Sequence, residues 1–193
     1  LAGITNDGRL MILQASDGEQ MTEALSHDRV YTSLGFVPWD DRLVLADENG
    51  AIEIWKIRQA EKTTEFNGHD KGISSIAFNV KNKQMVTAGS DGKIKLWNIS
   101  DLNESPVIIA DNDEKVIFLG YTTEGKAFLA ATPGSLIRRP SHVDYMTTDL
   151  CSMVTRNLTP EEWSAYVGRD IEYEKTCIDK TYKIRVNELR MSE

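Results

Sequence analysis

A two-residue signal recurs at a fixed interval along the first part of the chain. The dipeptides Asp7-Gly8, Asn49-Gly50 and Asp91-Gly92 start at positions 7, 49 and 91, so each copy follows the previous one by 42 residues. An acidic or amide residue before glycine is a strong hairpin signal, and its two-residue type I′ turn needs a positive φ at both positions. Since short alternating runs lie between the copies, the interval predicts an array of similar β units.

The most complete unit lies between residues 68 and 98. Its apolar residues alternate over 73–78, 85–88 and 94–99, and turn residues separate these runs. Gly68-His69, Ser90-Asp91-Gly92 and Trp97-Asn98 resemble the WD-repeat β-propeller family, with Asn98 where Asp is usual. The resemblance extends over residues 1–139 and implies blades of four antiparallel strands, arranged radially.

The alternation predicts strands in four units. They are 1–5, 9–15 and 20–25; 30–36, 43–46, 51–57 and 63–66; 73–78, 85–88, 94–99 and 107–110; 116–121, 127–131 and 136–139. We expect Pro140 to end the last of these strands, because proline does not fit a central strand. The predicted fold is mainly β: a partial β-propeller of three to four blades over residues 1–139, then a helical C-terminal cap over 140–193.

The repeat length also predicts an incomplete ring. At 42 residues per unit, 139 residues hold about three and a third units, whereas closed propellers have at least about four blades. We therefore expect the chain to be part of a longer protein, with unpaired strand edges at the ends of the blade array. Unpaired edges recruit further strands, so we expect the isolated piece to self-associate.

The resemblance implies a buried hydrogen-bond network inside each complete blade. The matching positions in the third unit are His69, Thr87, Asp91 and Trp97. A structural role suits them, because buried polar groups are costly unless they are paired. In the second unit the matching positions are His27, Leu45, Asn49 and Trp55. Leu45 has no hydroxyl, so we expect the network of that unit to be incomplete.

The hydrophobic period changes after residue 140. Apolar residues over 143–154 recur at helical spacing. Thr159 as N-cap, Pro160 in the first turn, Glu162 in a capping box and Gly168 as a stop predict a second helix. Residues 181–186 alternate again and predict one more strand. The helices suit a cap on the blades, and a dedicated docking helix is the alternative.

This tail resembles the segment that follows the propeller in certain large bacterial WD-repeat proteins. The resemblance is carried by Cys151, 156–159, 161–163, Tyr166 and 173–177. It implies a position at the C-terminal end of a multidomain chain, behind a signalling NTPase or a peptidase-like module. Cys151 and Cys177 have the option of pairing, but a bacterial cytoplasm keeps thiols reduced, which favours two free thiols.

Charge and hydropathy exclude several classes of partner. The net charge of −8 argues against broad binding to a nucleic-acid backbone. No stretch approaches the roughly 18 apolar residues of a spanning helix, and no charged-then-apolar leader follows Leu1. We therefore predict a cytoplasmic protein with protein partners, no nucleic acid and no membrane.

The sequence offers no catalytic constellation. Two of its three histidines occupy repeat positions and His142 stands alone, with no zinc spacing, phosphate loop or Gly-x-Ser-x-Gly motif. We predict a non-catalytic interaction scaffold or sensor, with no cofactor and no metal. The candidate binding residues lie in loops at one rim: Arg29, Glu48, Asp70, Lys71, Ser90, Asp113 and Lys115. The alternatives are a hydrolase or lyase with a site in the central channel, and an autoinhibitory lid on an upstream module.

Overall fold

The chain divides into two compact units. The computed structural model describes residues 1–5, 10–19, 29–59, 61–109 and 114–177. The first unit is Leu1–Ser141 and the second is His142–Glu193. The strands expected at 20–25 and 181–186, the dipeptide Asp7-Gly8, and the residues His27 and Asp113 lie outside the described residues.

The described part of the first unit contains four antiparallel sheets, which we call blades one to four. Blade one pairs β1 (Ala2–Ile4) with β2 (Leu10–Ile12). Blade two has the order β3 (Tyr31–Phe36), β4 (Arg42–Asp47), β5 (Ala51–Lys56), β6 (Glu61–Asn67). Blade three has the order β7 (Ile73–Asn79), β8 (Gln84–Gly89), β9 (Ile94–Asn98), β10 (Val107–Ile109). Blade four has the order β11 (Phe118–Tyr121), β12 (Ala127–Ala131), β13 (Leu136–Pro140). The predicted fold class, a mainly β partial propeller followed by a short helical part, is confirmed.

The blades pack side by side. Strand β3 contacts β1 on one side and β7 on the other, and β7 contacts β11. The second strand of each complete blade is almost wholly buried, and its alternate residues enter two different cores. In β4, Leu43 and Leu45 join the core with blade one, whereas Val44 and Ala46 join the core with blade three. Because successive strand residues point to opposite faces, one strand stabilises both interfaces of its blade.

The dipeptides Asn49-Gly50 and Asp91-Gly92 form hairpin turns, but not of the expected type I′. Three residues, 48–50, separate β4 from β5, and the Gly50 N–H donates to the Asp47 carbonyl. Blade three repeats this turn with a bond from Gly92 N–H to the Gly89 carbonyl. Only the glycines take a positive φ, +93° at Gly50 and +80° at Gly92. Both loops, three residues between β4 and β5 and four between β8 and β9, therefore contain one left-handed glycine, so the expectation of two residues with positive φ was wrong.

The strand that contains Pro140 extends one residue further than expected. Pro140 is the last residue of β13 and lies opposite Ala127 of β12. Strand β13 lies at the outer side of blade four within the described residues. A proline at the end of an edge strand interrupts no central ladder, which explains why the sheet accepts it.

Two capped helices form the regular structure of the second unit. Helix α1 is Val143–Met153 and α2 is Pro160–Tyr166. The predicted capping box is present: the Thr159 hydroxyl accepts from the Glu162 N–H, and the Glu162 carboxylate accepts from the Thr159 N–H. The side chain of Arg156 and this backbone bond together lower the pKa of Glu162 to about 2. Neither helix of the described residues is long and apolar enough to cross a membrane.

Cys151 and Cys177 form a disulfide, so the expectation of two free thiols was wrong. Cys151 lies in the last turn of α1. Asn157 positions the other cysteine, because its side chain donates to the Cys177 carbonyl (2.7 Å) and accepts from the Cys177 N–H (2.8 Å). The helices contain no buried residue, whereas Asn157 and Cys177 are buried. The described part of this unit is therefore centred on the disulfide rather than on an apolar core.

Candidate interaction site

A continuous hydrogen-bond chain crosses blade three. The Trp97 indole N–H donates to Thr87 Oγ1 (2.9 Å), and Thr87 Oγ1 lies 2.8 Å from His69 Nε2. On the other side of the ring, His69 Nδ1 lies 3.0 Å from Asp91 Oδ1. Asp91 also accepts from the backbone N–H groups of Lys93 and Asp70. These hydrogen bonds thus link the loop before β7 to the turn between β8 and β9.

The hydrogen-bond pattern fixes the protonation state of His69. Thr87 Oγ1 already accepts from Trp97, so its own hydroxyl hydrogen is available for His69 Nε2. That assignment leaves the proton on Nδ1, which donates to Asp91. Burial lowers the pKa of His69 below its ordinary value, against the opposing effect of Asp91. His69, only 1% exposed, is therefore neutral in the folded chain at neutral pH.

Removing the central hydroxyl of this chain is expected to destabilise the fold strongly. Thr87→Val keeps the shape but leaves the Trp97 N–H and His69 Nε2 buried without a partner, at a cost of about 2–4 kcal/mol. Urea unfolding monitored by Trp fluorescence measures this change. The matched control is Thr64→Val on β6, where the hydroxyl makes no hydrogen bond to the described residues. Equal midpoints for the two variants would contradict the prediction.

The neutral state of His69 predicts a loss of stability on mild acidification. Because burial lowers the folded-state pKa, the unfolded chain takes up a proton at this residue at a higher pH than the folded chain, beginning near pH 6.5. The free energy of unfolding therefore falls as the pH drops below about 6.5. Urea midpoints measured between pH 7.5 and 5.5 are expected to fall more steeply for the wild type than for His69→Gln. The same slope in both proteins would show that His69 does not cause the effect.

In blade two a different residue accepts the hydrogen bond of the buried tryptophan. Leu45 occupies the position of Thr87, as expected, so no hydroxyl is available for the Trp55 indole. Instead Trp55 donates to Glu53 Oε2 (2.8 Å), on its own strand β5. The Tyr31 hydroxyl donates to the same oxygen (2.9 Å), and burial together with this carboxylate raises the Tyr31 pKa. A carboxylate that is 1% exposed thus replaces the missing hydroxyl.

Two cations neutralise the buried carboxylate. Arg29 Nε lies 3.4 Å from Glu53 Oε1, and Lys62 Nζ lies 3.3 Å from it. Arg29 also pairs with Asp47 at 3.3 Å, and both cations pair with Glu65. Asp47 in turn accepts from two backbone N–H groups of the turn before β5. The network of blade two is therefore ionic, whereas that of blade three is formed around a neutral histidine.

Residues of blades two, three and four line an open cleft at one end of their strands. The cleft has a volume of about 620 Å³. It is lined by Thr32, Glu48, Lys71, Gly72, Ile73, Ser74, Ser90, Lys115 and Ile117. We call it the rim cleft. The cleft is open to solvent rather than enclosed, which suits contact with a surface more than burial of a small molecule.

A repeated hydroxyl contact closes the floor of the rim cleft. Thr32 and Ser74 lie 42 residues apart, each at a register shift in the first strand of its blade. The Thr32 hydroxyl donates to the Ile73 carbonyl of blade three at 2.6 Å, and the Ser74 hydroxyl donates to the Val116 carbonyl next to blade four at 2.6 Å. Each bond joins one blade to the next and occupies the hydroxyl hydrogen of a residue that lines the cleft.

The seven candidate binding residues fall into three groups. Glu48, Lys71, Ser90 and Lys115 lie together in the rim cleft. Arg29 and Asp70 are committed to ion pairs within the fold, Asp70 with Lys93 at 2.8 Å. Asp113 lies outside the described residues.

Sequence reasoning missed three residues that build this region, although each carried a signal. Glu53 lies two residues before Trp55, so strand alternation places it on the inward face of that tryptophan. Thr32 and Ser74 are hydroxyl residues separated by one repeat length. A charged residue at an inward strand position, and a repeated hydroxyl, were therefore both visible in the sequence.

Comparison with known families supports the repeat assignment. Residues 60–98 match the family model described as WD domain, G-beta repeat. This segment spans β6 to β9 and contains the whole hydrogen-bond chain of His69, Thr87, Asp91 and Trp97. No curated protein matched the chain. The match over residues 60–98, together with the succession of antiparallel blades, fits a WD-repeat family.

Proposed function

We propose that this chain is a non-catalytic module that binds a protein partner through the rim cleft. The observation that carries the proposal is that three successive blades contribute side chains to this cleft. WD-repeat domains generally act as protein-interaction modules, which agrees with it. The fold supports recognition because interlocked loops hold the side chains: the Gly50 carbonyl accepts from Gly68 and His69, and the Gly72 carbonyl accepts from Ser90.

The described histidines have structural tasks, which favours a binding role over hydrolysis or elimination in the central channel. His69 belongs to the hydrogen-bond chain of blade three. His142 is the N-cap of α1, and its Nδ1 accepts from the Asp144 N–H. The His69 ring does contact the Thr87 hydroxyl, but His69 is 1% exposed and Thr87 is 0% exposed, so this pair is closed to a substrate.

We propose a bacterial signalling protein as the setting, on the basis of the tail that resembles the C-terminal segment of such chains. Helix α2 contains residues 161–163 and Tyr166 of the tail motif, and the capping box and the Arg156–Glu162 ion pair stabilise its beginning. In this setting the module senses or assembles partners for the upstream domain.

Site-specific photo-crosslinking tests the binding role. A photoreactive amino acid at Ser90 lies in the rim cleft, whereas one at Lys83 lies in the β7–β8 turn at the opposite end of the blade. In a lysate of the source organism, Ser90 is expected to yield a discrete crosslinked species that excess unlabelled chain abolishes. The same species from both positions would contradict a specific rim site.

We also propose that the isolated chain self-associates through a blade edge. Strand β13 has no outer neighbour among the described residues, and its Leu136 is 66% exposed. Light scattering is expected to give a mass above the 21.7 kDa of one chain, rising with concentration. Leu136→Lys should lower this mass, because a lysine on an edge opposes strand pairing. The control Val80→Lys changes an exposed apolar residue outside the edge, and an equal effect there would refute the edge contact.

The cytoplasmic location stays a prediction, and the cysteines provide its test. A disulfide persists in oxidising compartments, whereas cytoplasmic thiols are normally kept reduced. Rapid acid quenching of cells followed by alkylation measures the state of Cys151 and Cys177. Free thiols in cells would support the cytoplasm, and a complete disulfide would support an oxidising compartment.

A further inference from the structure

The rim cleft contains two lysines from successive blades. Lys71 precedes β7 of blade three, and Lys115 precedes β11 of blade four. Both side chains are exposed. Neither ammonium group lies within 4 Å of a carboxylate among the described residues, whereas Lys62, Lys93 and Lys126 each do.

This pair of cations contrasts with the chain as a whole, whose net charge is −8. An acidic ligand is repelled by the protein as a whole, so a local pair of ammonium groups decides where it binds. Glu114, the neighbour of Lys115, is occupied elsewhere, since its carboxylate accepts from the Thr132 hydroxyl at 2.5 Å. Among the described residues that line the cleft, Glu48 has the one acidic side chain.

The remaining polar groups of the cleft indicate what kind of ligand fits. The hydroxyls of Thr32 and Ser74 are committed to the carbonyls between blades. Ser90 offers a hydroxyl that forms no bond with the described side chains, and Ile117, 54% exposed, offers an apolar contact. A ligand here needs an anion for the lysines, an N–H donor for Glu48 and some apolar surface. A polypeptide segment with an acidic side chain supplies all three.

We propose that the rim cleft binds an acidic side chain of a partner polypeptide between Lys71 and Lys115, while Glu48 accepts an N–H of the same segment. This inference rests on the proposed function, because it names the chemistry of the partner at the same site. The cleft thereby selects a segment with one or two carboxylates. Longer acidic runs are opposed by Glu48 and by the net charge.

Peptide binding to the full 193-residue chain tests this inference. The probe is a fluorescein-labelled octapeptide with two adjacent glutamates among alanines, and its counterpart has glutamines instead. Fluorescence anisotropy at low salt is expected to show about tenfold tighter binding of the glutamate peptide. In Lys71→Glu/Lys115→Glu this preference should disappear.

A second charge-reversed pair serves as the matched control. Lys81→Glu/Lys83→Glu changes the net charge equally, but both residues lie in the β7–β8 turn, away from the cleft. This pair should keep the preference for the glutamate peptide. Equal binding of both peptides to the wild type, absence of binding, or an equal loss in the control pair would overturn the inference. If the Ser90 crosslink survives Lys71→Glu/Lys115→Glu, the binding role stands and only the acidic specificity fails.

Discussion

Replacing Glu53 by leucine is expected to lower the free energy of unfolding by about 3–5 kcal/mol, because it leaves two buried hydrogen-bond donors without their acceptor. The change leaves the Tyr31 hydroxyl and the Trp55 indole N–H without their partner inside the core. Arg29 and Lys62 keep Glu65, so the cations remain neutralised at the surface. Urea unfolding monitored by fluorescence measures the loss.

Two further variants separate burial from charge. Glu53→Gln keeps an oxygen for Tyr31 and Trp55 but removes the charge, so we expect a smaller loss than for leucine. Glu65→Gln removes an exposed carboxylate and should cost at most about 1 kcal/mol. If Glu53→Leu were no more destabilising than Glu65→Gln, the buried carboxylate would not be the central acceptor.

A double-mutant cycle checks the link between the two strands. Tyr31→Phe removes the hydroxyl that donates to Glu53. In the wild type this change should destabilise, whereas in Glu53→Leu it should cost less, because an unpaired buried hydroxyl is then removed. A coupling energy of about 0.5–3 kcal/mol is expected for residues in one network. Additive effects would contradict the direct bond.

The second large effect concerns the C-terminal unit. We expect Cys177→Ser to abolish hydrogen-exchange protection over residues 143–177 while the blades keep theirs. The disulfide closes a loop with a sequence separation of 26, which corresponds to about 3–4 kcal/mol of chain entropy. Since α1 and α2 bury no residue of their own, no apolar core replaces that constraint.

The controls for this prediction use reduction and a neighbouring side chain. Reduction of the wild type should reproduce the effect of Cys177→Ser. Ser152→Ala changes an exposed residue in the same turn of α1 as Cys151 and should leave the protection intact. Unchanged exchange in the reduced protein would show that the helices persist without the disulfide.

Local signals predicted the strands well because each follows from neighbours in the sequence. Alternation located β4 and β8, and their positions differ from expectation by only one residue at each end. The capping residues of α2 were equally readable, since Thr159, Pro160 and Glu162 act within one turn. Such features depend on spacing alone.

The features that were missed depend on residues that are distant in the sequence. The acceptor for Trp55 is Glu53 on β5 and not a hydroxyl on β4. Its role depends on contacts with Tyr31 and Lys62, which lie on other strands. The turn type depends on where β4 ends, which the dipeptide Asn49-Gly50 does not determine. The disulfide depends on how Asn157 holds Cys177, twenty residues away.

The hydroxyl groups of Thr32 and Ser74 stabilise the contact between blades, whereas the proposed binding uses other side chains of the rim cleft. Their hydrogen bonds hold one blade to the next and occupy the hydroxyl hydrogens of both residues. The proposed ligand binding therefore rests on other side chains, Glu48, Lys71 and Lys115, which form no ion pair with the described residues. Over evolutionary time such positions can change their charge while the scaffold persists, so new partners are acquired without a new architecture.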